Sequence, residues 1–191
     1  MIETPQLTFD PVLHKYHLGQ VELPSVTGIL DALGLISFYA KDEAAAFRGT
    51  MAHLACRYLL EKRLDWSSVG QLVMPYVVSL DRWLEASGFE PEACEVMGYS
   101  PVYLFAGTYD VRGKHPKIGR CLFDLKTGEQ CALWHRLQTV GYEIIDGGHY
   151  RRGCLHLSKT GKVARFVPHR EAVDRQRFMA CNTVFRLKEA A

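Results

Sequence analysis

Two acids and a lysine, placed as Asp110 and Asp124-Leu125-Lys126, carry the most chemistry in this 191-residue sequence. Each acid ends a β-rich segment, Tyr103-Leu104-Phe105-Ala106-Gly107-Thr108-Tyr109-Asp110 and Cys121-Leu122-Phe123-Asp124. The loop between them holds Gly113, Pro116 and Gly119, the punctuation of a hairpin. Side chains alternate along a strand, so Asp124 and Lys126 share one face and Leu125 takes the other. Closing the hairpin sets Asp110 beside Asp124. Hydrolysis of a phosphodiester needs an acidified water, a neutralised phosphate charge and a stabilised leaving oxygen. One or two Mg²⁺ or Mn²⁺ ions held by carboxylates supply all three, and such hard cations choose oxygen ligands. In that chemistry Asp110 and Asp124 hold the metal, and Lys126 orients the attacking water and offsets charge. Taken alone, Asp-x-Lys is common, and an ion pair on an edge strand is its simpler reading.

The elements that must position these groups can be read in order. Residues 7–23 form a small hairpin or meander, on which His14 and His17 read as surface residues rather than metal ligands. Pro24-Ser25-Val26-Thr27 opens a helix that ends near Leu33, with Gly34 as its stop. A helix over 41–62, interrupted at Gly49-Thr50, turns Met51, Ala55, Tyr58 and Leu59 to the core. His53 lies off that stripe and by itself reads as a satisfied helix histidine. A second helix over 69–86 carries Leu72, Tyr76, Leu80, Trp83 and Leu84 and stops at Gly88. Cys94-Glu95-Val96 begins the sheet, followed by strands over 102–111 and 120–126. A helix over 131–145 has its apolar stripe at Leu133, Leu137, Val140 and Ile144, with Gln138 and Tyr142 one turn apart beside it. A second hairpin over 154–167 turns through Lys159-Thr160-Gly161-Lys162, and a helix over 170–187 closes the chain.

In order, Gly49-Thr50-Met51-Ala52-His53, Glu95, Gly107-Thr108-Tyr109-Asp110, Asp124-Leu125-Lys126-Thr127-Gly128 and Gln138-Thr139-Val140-Gly141-Tyr142 resemble the PD-(D/E)xK nuclease superfamily. The branch they look most like is that of the RecB-type nucleases and related phage exonucleases. There a G-T-x-x-H helix, a G-x-x-D strand, a D-x-K-T strand and a Q-x-x-x-Y helix follow in this order. Leu23-Pro24-Ser25-Val26-Thr27 also looks like the start of small phage members. The resemblance covers about 49–142. It implies an α/β fold, a mixed four- to five-stranded sheet flanked by helices with a restriction-endonuclease-like core, here as one domain over 1–191 with a small N-terminal hairpin and helix extension.

What the resemblance implies for residues follows the motifs. His53 becomes a metal ligand or near-ligand, Asp110 and Asp124 the metal carboxylates, and the Leu125 carbonyl a further ligand. Lys126 becomes the catalytic lysine, and Gln138 and Tyr142 steady it or touch DNA. Glu95 stands where many members place an extra acid, with a plain strand glutamate the equal alternative. Tyr109 replaces the proline of the superfamily's name, and the iron–sulfur cysteines of some relatives are absent. Cations available for phosphates are Arg48, beside Thr50 at the helix turn, Arg112, Lys114 and Lys117 in the first hairpin, and Lys159 and Lys162 in the second. Tyr39 and Trp134 are aromatic candidates for base stacking, with core packing the better reading of Trp134.

Bulk composition narrows little further. With 48% hydrophobic and 23% charged residues the chain can bury an ordinary core, and its length fits one domain of roughly 100–200 residues. A net charge of +2 does not itself announce a nucleic-acid partner. The first ten residues lack the basic start and apolar core of a signal peptide, and no apolar run nears the ~18 residues of a membrane span. Six cysteines without a C-x-x-C pair read as reduced thiols in a cytoplasm, a bacterial host's if the chain is phage-encoded. The expected activity is metal-dependent exonuclease action on linear or single-stranded DNA in phage or bacterial recombination, beside a single-strand annealing or recombination protein. The alternatives are a structure-selective endonuclease and a catalytically silent DNA-binding module.

Overall fold

In the computed structural model, residues 5–36 and 43–190 are described. The chain opens as an antiparallel meander, β1 (Leu7–Asp10), β2 (Lys15–Leu18) and β3 (Val21–Leu23). Helix α1 (Val26–Ala32) follows, its first turn capped by Ser25, whose hydroxyl accepts from Gly28 N–H. Helices α2 (Glu43–Leu60) and α3 (Met74–Ser87) precede strands β4 (Glu90–Tyr99), β5 (Ala106–His115) and β6 (Gly119–Lys126). Helix α4 (Leu133–Asp146) crosses to β7 (Arg151–His156), and β8 (Arg165–His169) and α5 (Val173–Glu189) complete the order.

Strands β4 to β8 make a mixed sheet in sequential order, antiparallel except for the β6–β7 pair. A parallel pair requires a crossover, and α4 supplies it, laying its apolar stripe on the sheet. One face carries α2 and α3, where Ala52, Cys56, Val77, Leu80 and Trp83 meet Val111, Phe123, Leu125 and Leu155. The opposite face carries α1, α4 and α5, where Val26, Ile29, Leu137, Val140 and Phe178 meet Phe105, Tyr109 and Leu122. Strand β6 feeds both layers by alternation. Burying Leu122, Phe123 and Leu125 fully is worth roughly 1.5–3 kcal/mol each, which anchors the strand on which Asp124 and Lys126 stand. Two glycines permit close approaches in the α1/α4 layer. A Cβ at Gly141 would lie 2.7 Å from Val26, and one at Gly107 would lie 3.0 Å from the Tyr142 ring.

Several expectations are corrected. Helix α2 runs without interruption through Gly49 and Thr50, the Thr50 hydroxyl donating to Ala46 O at 3.2 Å; residues 41 and 42, and Tyr39, lie outside the described residues. Its buried face is Ala52, Cys56 and Leu60. Ala55 and Leu59 are half-buried, and Met51 and Tyr58 stand on the exposed side. Small side chains form the buried face because α2 lies close on α3 and β4. The helix expected from residue 69 begins at Met74, after a 3-10 turn at Trp66–Ser68, and leaves Leu72 exposed. The strand expected from residue 102 begins at Ala106, because Ser100-Pro101 starts a turn closed by Leu104 N–H to Ser100 O at 2.8 Å. Leu133 is exposed rather than core. Among the described residues no helix is long and apolar enough to cross a membrane.

Candidate metal centre

The site forms where the β5–β6 ladder ends. The last paired residues are Val111 and Phe123, and one step beyond them stand Asp110 and Asp124. In place of the next rung, the Leu125 N–H donates to Asp110 Oδ2 at 2.6 Å. This brings the Leu125 backbone to the acids while its side chain stays in the α2/α3 core. On the other side of β5, the β4 pairing skips from Cys94↔Val111 to Val96↔Tyr109 around Glu95. Glu95 has φ +49°, a left-handed backbone that a non-glycine residue holds at a cost of about 1–3 kcal/mol. The distortion stands at the acid that faces Asp110.

From α2, His53 Nδ1 approaches Asp110 Oδ1 at 3.4 Å. His53, Glu95 and Asp110 each offer one ligand atom, and all three atoms lie within 4.8 Å of one another. They line a cleft of about 580 Å³ with Thr50, Arg57 and, from the meander, Phe9 and His14. Sequence reasoning set His14 aside as a surface residue. Its place at the rim of this cleft has no local signal, because it depends on how the meander packs, through a 2.9 Å hydrogen bond between the Tyr16 and Thr108 hydroxyls. Burial raises Glu95, the Asp110 charge raises it further, and its carboxyl reaches about 7. Burial alone would lower His53, but Asp110 outweighs it and the imidazole stands at about 9. Burial also pushes Asp110 up, yet His53, Lys126 and the Leu125 N–H hold it below the usual carboxylate range.

Asp124 and Lys126 occupy the α4 side, as their alternation requires. Asp124 is buried, and its Oδ2 has the Lys126 ammonium at 2.5 Å and no other partner among the described residues. Burial raises its carboxyl, Lys126 opposes this, and neighbouring Asp110 adds to the rise. The lysine is held from three sides. Its Nζ donates to Gln138 Oε1 at 3.1 Å, Gln138 Nε2 donates to the Tyr142 hydroxyl at 2.8 Å, and the Trp134 ring lies 4.7 Å beneath the charge. Gln138 and Tyr142 thus act as the one-turn pair expected of them. Trp134, a candidate for core packing or base stacking, makes a cation–π contact with Lys126 that depends on the packing of α4 against β6. Burial would lower the Lys126 ammonium, but Asp124 outweighs it and the value rises, so the group remains a cation.

The remaining candidates fall in separate places. Arg48 and Thr50 lie on α2 beside the acid cleft, with Thr50 in its lining. Lys114 and Lys117 stand at the β5–β6 turn. Arg112, two residues beyond Asp110 on β5, is held by Asp146 at 2.7 Å. Lys159 and Lys162 line a second cleft of about 490 Å³ with Thr127 and Arg165. The scattered thiols conceal one neighbourhood: Cys131 Sγ lies 3.6 Å from His169 Nε2, and its proximity to Cys154, His169 and His135 lowers its thiol from the ordinary value. No family model matches this chain, and no curated protein matches it.

Proposed function

We propose that the chain is a Mg²⁺- or Mn²⁺-dependent deoxyribonuclease. It would hydrolyse phosphodiester bonds from the ends of linear or single-stranded DNA during phage or bacterial recombination or DNA processing, in the manner of the PD-(D/E)xK nucleases it resembles. The observation that carries this reading is the convergence of His53, Glu95 and Asp110 beside a buried Asp124 whose free carboxylate oxygen meets only Lys126.

The donor set fits a hard divalent cation: carboxylate oxygens dominate it, and burial together with the neighbouring Asp110 raises both Glu95 and Asp124, a penalty that a bound cation would relieve. Asp110, Asp124, Glu95 and His53 would hold the ion, with the Leu125 carbonyl beside them. When bound, it supplies an acidified water and neutralises phosphate charge. The protein's own groups do the rest. Lys126, fixed by Gln138, Tyr142 and Trp134, presents a permanent cation to the attacking water and the phosphate oxygens, and its charge lowers the cost of the developing anion. Because it stays protonated, it serves as an electrostatic and hydrogen-bonding group rather than as a base. Arg48, Thr50, Lys114 and Lys117 are the candidates for holding the strand.

The test is degradation of end-labelled linear and covalently closed DNA with Mg²⁺ or Mn²⁺, wild type beside Lys126→Ala. Loss of linear DNA alone, abolished in the variant, supports the exonuclease. Nicked circles would move the activity to an endonuclease. DNA binding without cleavage, and without Mn²⁺ binding, would leave a silent module of this fold.

A further inference from the structure

The second cleft, beside the lysine rather than the acids, carries a further inference that rests on the nuclease reading. Its floor continues the main chain that bears Lys126: Leu157 N–H donates to Lys126 O at 2.8 Å, and Thr127 and Gly128 follow directly. Three cations line it, Lys159, Lys162 and Arg165, against one acid, Glu129, which Lys159 already faces at 3.3 Å. Hydroxyls of Thr127, Ser158 and Thr160 complete the lining, Ser158 and Thr160 being 3.0 Å apart.

One buried group in this wall lacks a partner. His156 is 5% exposed, its Nδ1 is 2.7 Å from Gly128 O and therefore carries the proton, and its Nε2 is buried with no hydrogen bond among the described residues. Nε2 is therefore an acceptor, and a buried ring acceptor without a partner calls for a donor such as a water or a neighbouring hydroxyl rather than for the phosphate itself. The cleft also adjoins the acid site. Gly49, which lines the acid cleft, lies close to Thr127, which lines the basic one: a Cβ on Gly49 would be 3.7 Å from Thr127 Oγ1.

We propose that this basic cleft is a phosphate subsite that takes a backbone phosphodiester of the DNA strand, next along the chain from the group at the acid site. Surplus cations supply the attraction, and the Thr127, Ser158 and Thr160 hydroxyls donate the short-range hydrogen bonds. A strand crossing the Gly49–Thr127 seam places one phosphate over Lys126 and its neighbour in the cleft.

The test measures binding of a fluorescein-labelled oligothymidylate to the full chain in EDTA, where no cleavage occurs, as a function of salt. Lys162→Ala/Arg165→Ala removes two exposed cations. Each lost single-strand phosphate contact lowers the log K against log salt slope by about 0.7, so the slope falls by about 1.4 and affinity at 0.1 M salt drops on the order of tenfold or more. Arg170→Ala/Arg175→Ala, exposed on the α5 side, removes the same charge elsewhere and serves as the control. An unchanged slope in the cleft variant, or an equal fall in the control, overturns the proposal. So does a fall confined to 5′-phosphorylated oligonucleotide, which would assign the cleft to strand ends, whereas equal falls with 5′-hydroxyl strands support the backbone diester. The nuclease reading fails separately: a wild type that cleaves nothing while its slope falls as stated loses the activity and keeps the cleft.

Discussion

Strand β5 and helix α4 build two buried polar clusters, and only one of them is balanced. At the Arg112 end, Asp146 accepts hydrogen bonds from the Tyr109 hydroxyl at 2.6 Å, from Arg112 at 2.7 Å and from the Tyr150 hydroxyl. Arg120 donates to Tyr150 at 2.8 Å and lies over its ring. Burial would raise Asp146, but the Tyr109, Tyr150 and Arg112 contacts outweigh it and hold its carboxyl below the ordinary value. At the Lys126 end, three acids share Lys126 and His53, and both Glu95 and Asp124 are pushed up. The first cluster satisfies its own charge and reads as a structural pin. The second sets three acids against Lys126 and His53, so that Lys126 faces Asp124, His53 faces Asp110, and Glu95 is left without an ion-pair partner of its own.

That contrast is sharpest in catalysis. Lys126→Ala or Asp124→Asn is expected to lower the Mn²⁺-dependent cleavage rate on the order of a thousandfold, while Asp146→Asn leaves the rate at folded-protein levels within a few fold. Initial rates at saturating Mn²⁺, corrected for the folded fraction, check both. If Asp146→Asn cost as much activity as Lys126→Ala, the two clusters would not be separable. Stability should run the other way. Asp146→Ala strands the Arg112 guanidinium and two tyrosine hydroxyls, a loss of roughly 2–4 kcal/mol, and the melting temperature falls by roughly 5–15 °C in a domain of this size. Glu95→Gln removes an uncompensated charge from the metal-free site and raises the melting temperature by about 2–4 °C, the trade expected where a residue is kept for function. Thermal unfolding of the three proteins in EDTA decides it, and a destabilised Glu95→Gln would place that acid among the structural pins.

What the sequence made legible was what local periodicity controls. Period two on β6 put Asp124 and Lys126 on one face, and one helical turn put Gln138 beside Tyr142. The hairpin glycines brought Asp110 to Asp124. The mixed four- to five-stranded sheet came from the resemblance, with which the order of segments agreed, and the sheet has five strands. Less accessible was anything set by long-range register. Glu95 meets Asp110 only because β4 pairs antiparallel with β5 and breaks its ladder there, and His53 joins them only because α2 buries its small-residue face. Helical periodicity placed Met51, Ala55, Tyr58 and Leu59 on the core side, whereas Ala52, Cys56 and Leu60 form the buried face. The Asp146 cluster left no trace in the sequence, since its members sit 34 to 38 positions from Arg112 and Tyr109 or four apart within a turn.

The smallest effect, and the most direct reading of the imbalance, is how the metal-free fold responds to pH. Glu95 stands at about 7 against an ordinary 4.5, so the folded state holds a proton that the unfolded chain has released. Its contribution is fully present below 4.5 and is lost as pH rises through about 7. His53 is raised from 6.5 to about 9, so its pairing with Asp110 contributes fully below 6.5 and is lost as pH rises through about 9. The two windows adjoin and carry the same sign. Asp110 and Asp146, both lowered, contribute above the ordinary 3.8 and lose that contribution only in acid. In EDTA the melting temperature should therefore decline steadily from about pH 5 to about pH 9. In Glu95→Gln the decline should be confined to the upper, His53 window. Saturating Mn²⁺ should reverse the trend, because the ion binds ligands that have lost their protons and its stabilising increment grows with pH. A flat EDTA profile across that range would mean that these acids are neutralised within the fold as completely as Asp146 is, and the distinction between the two clusters would fall.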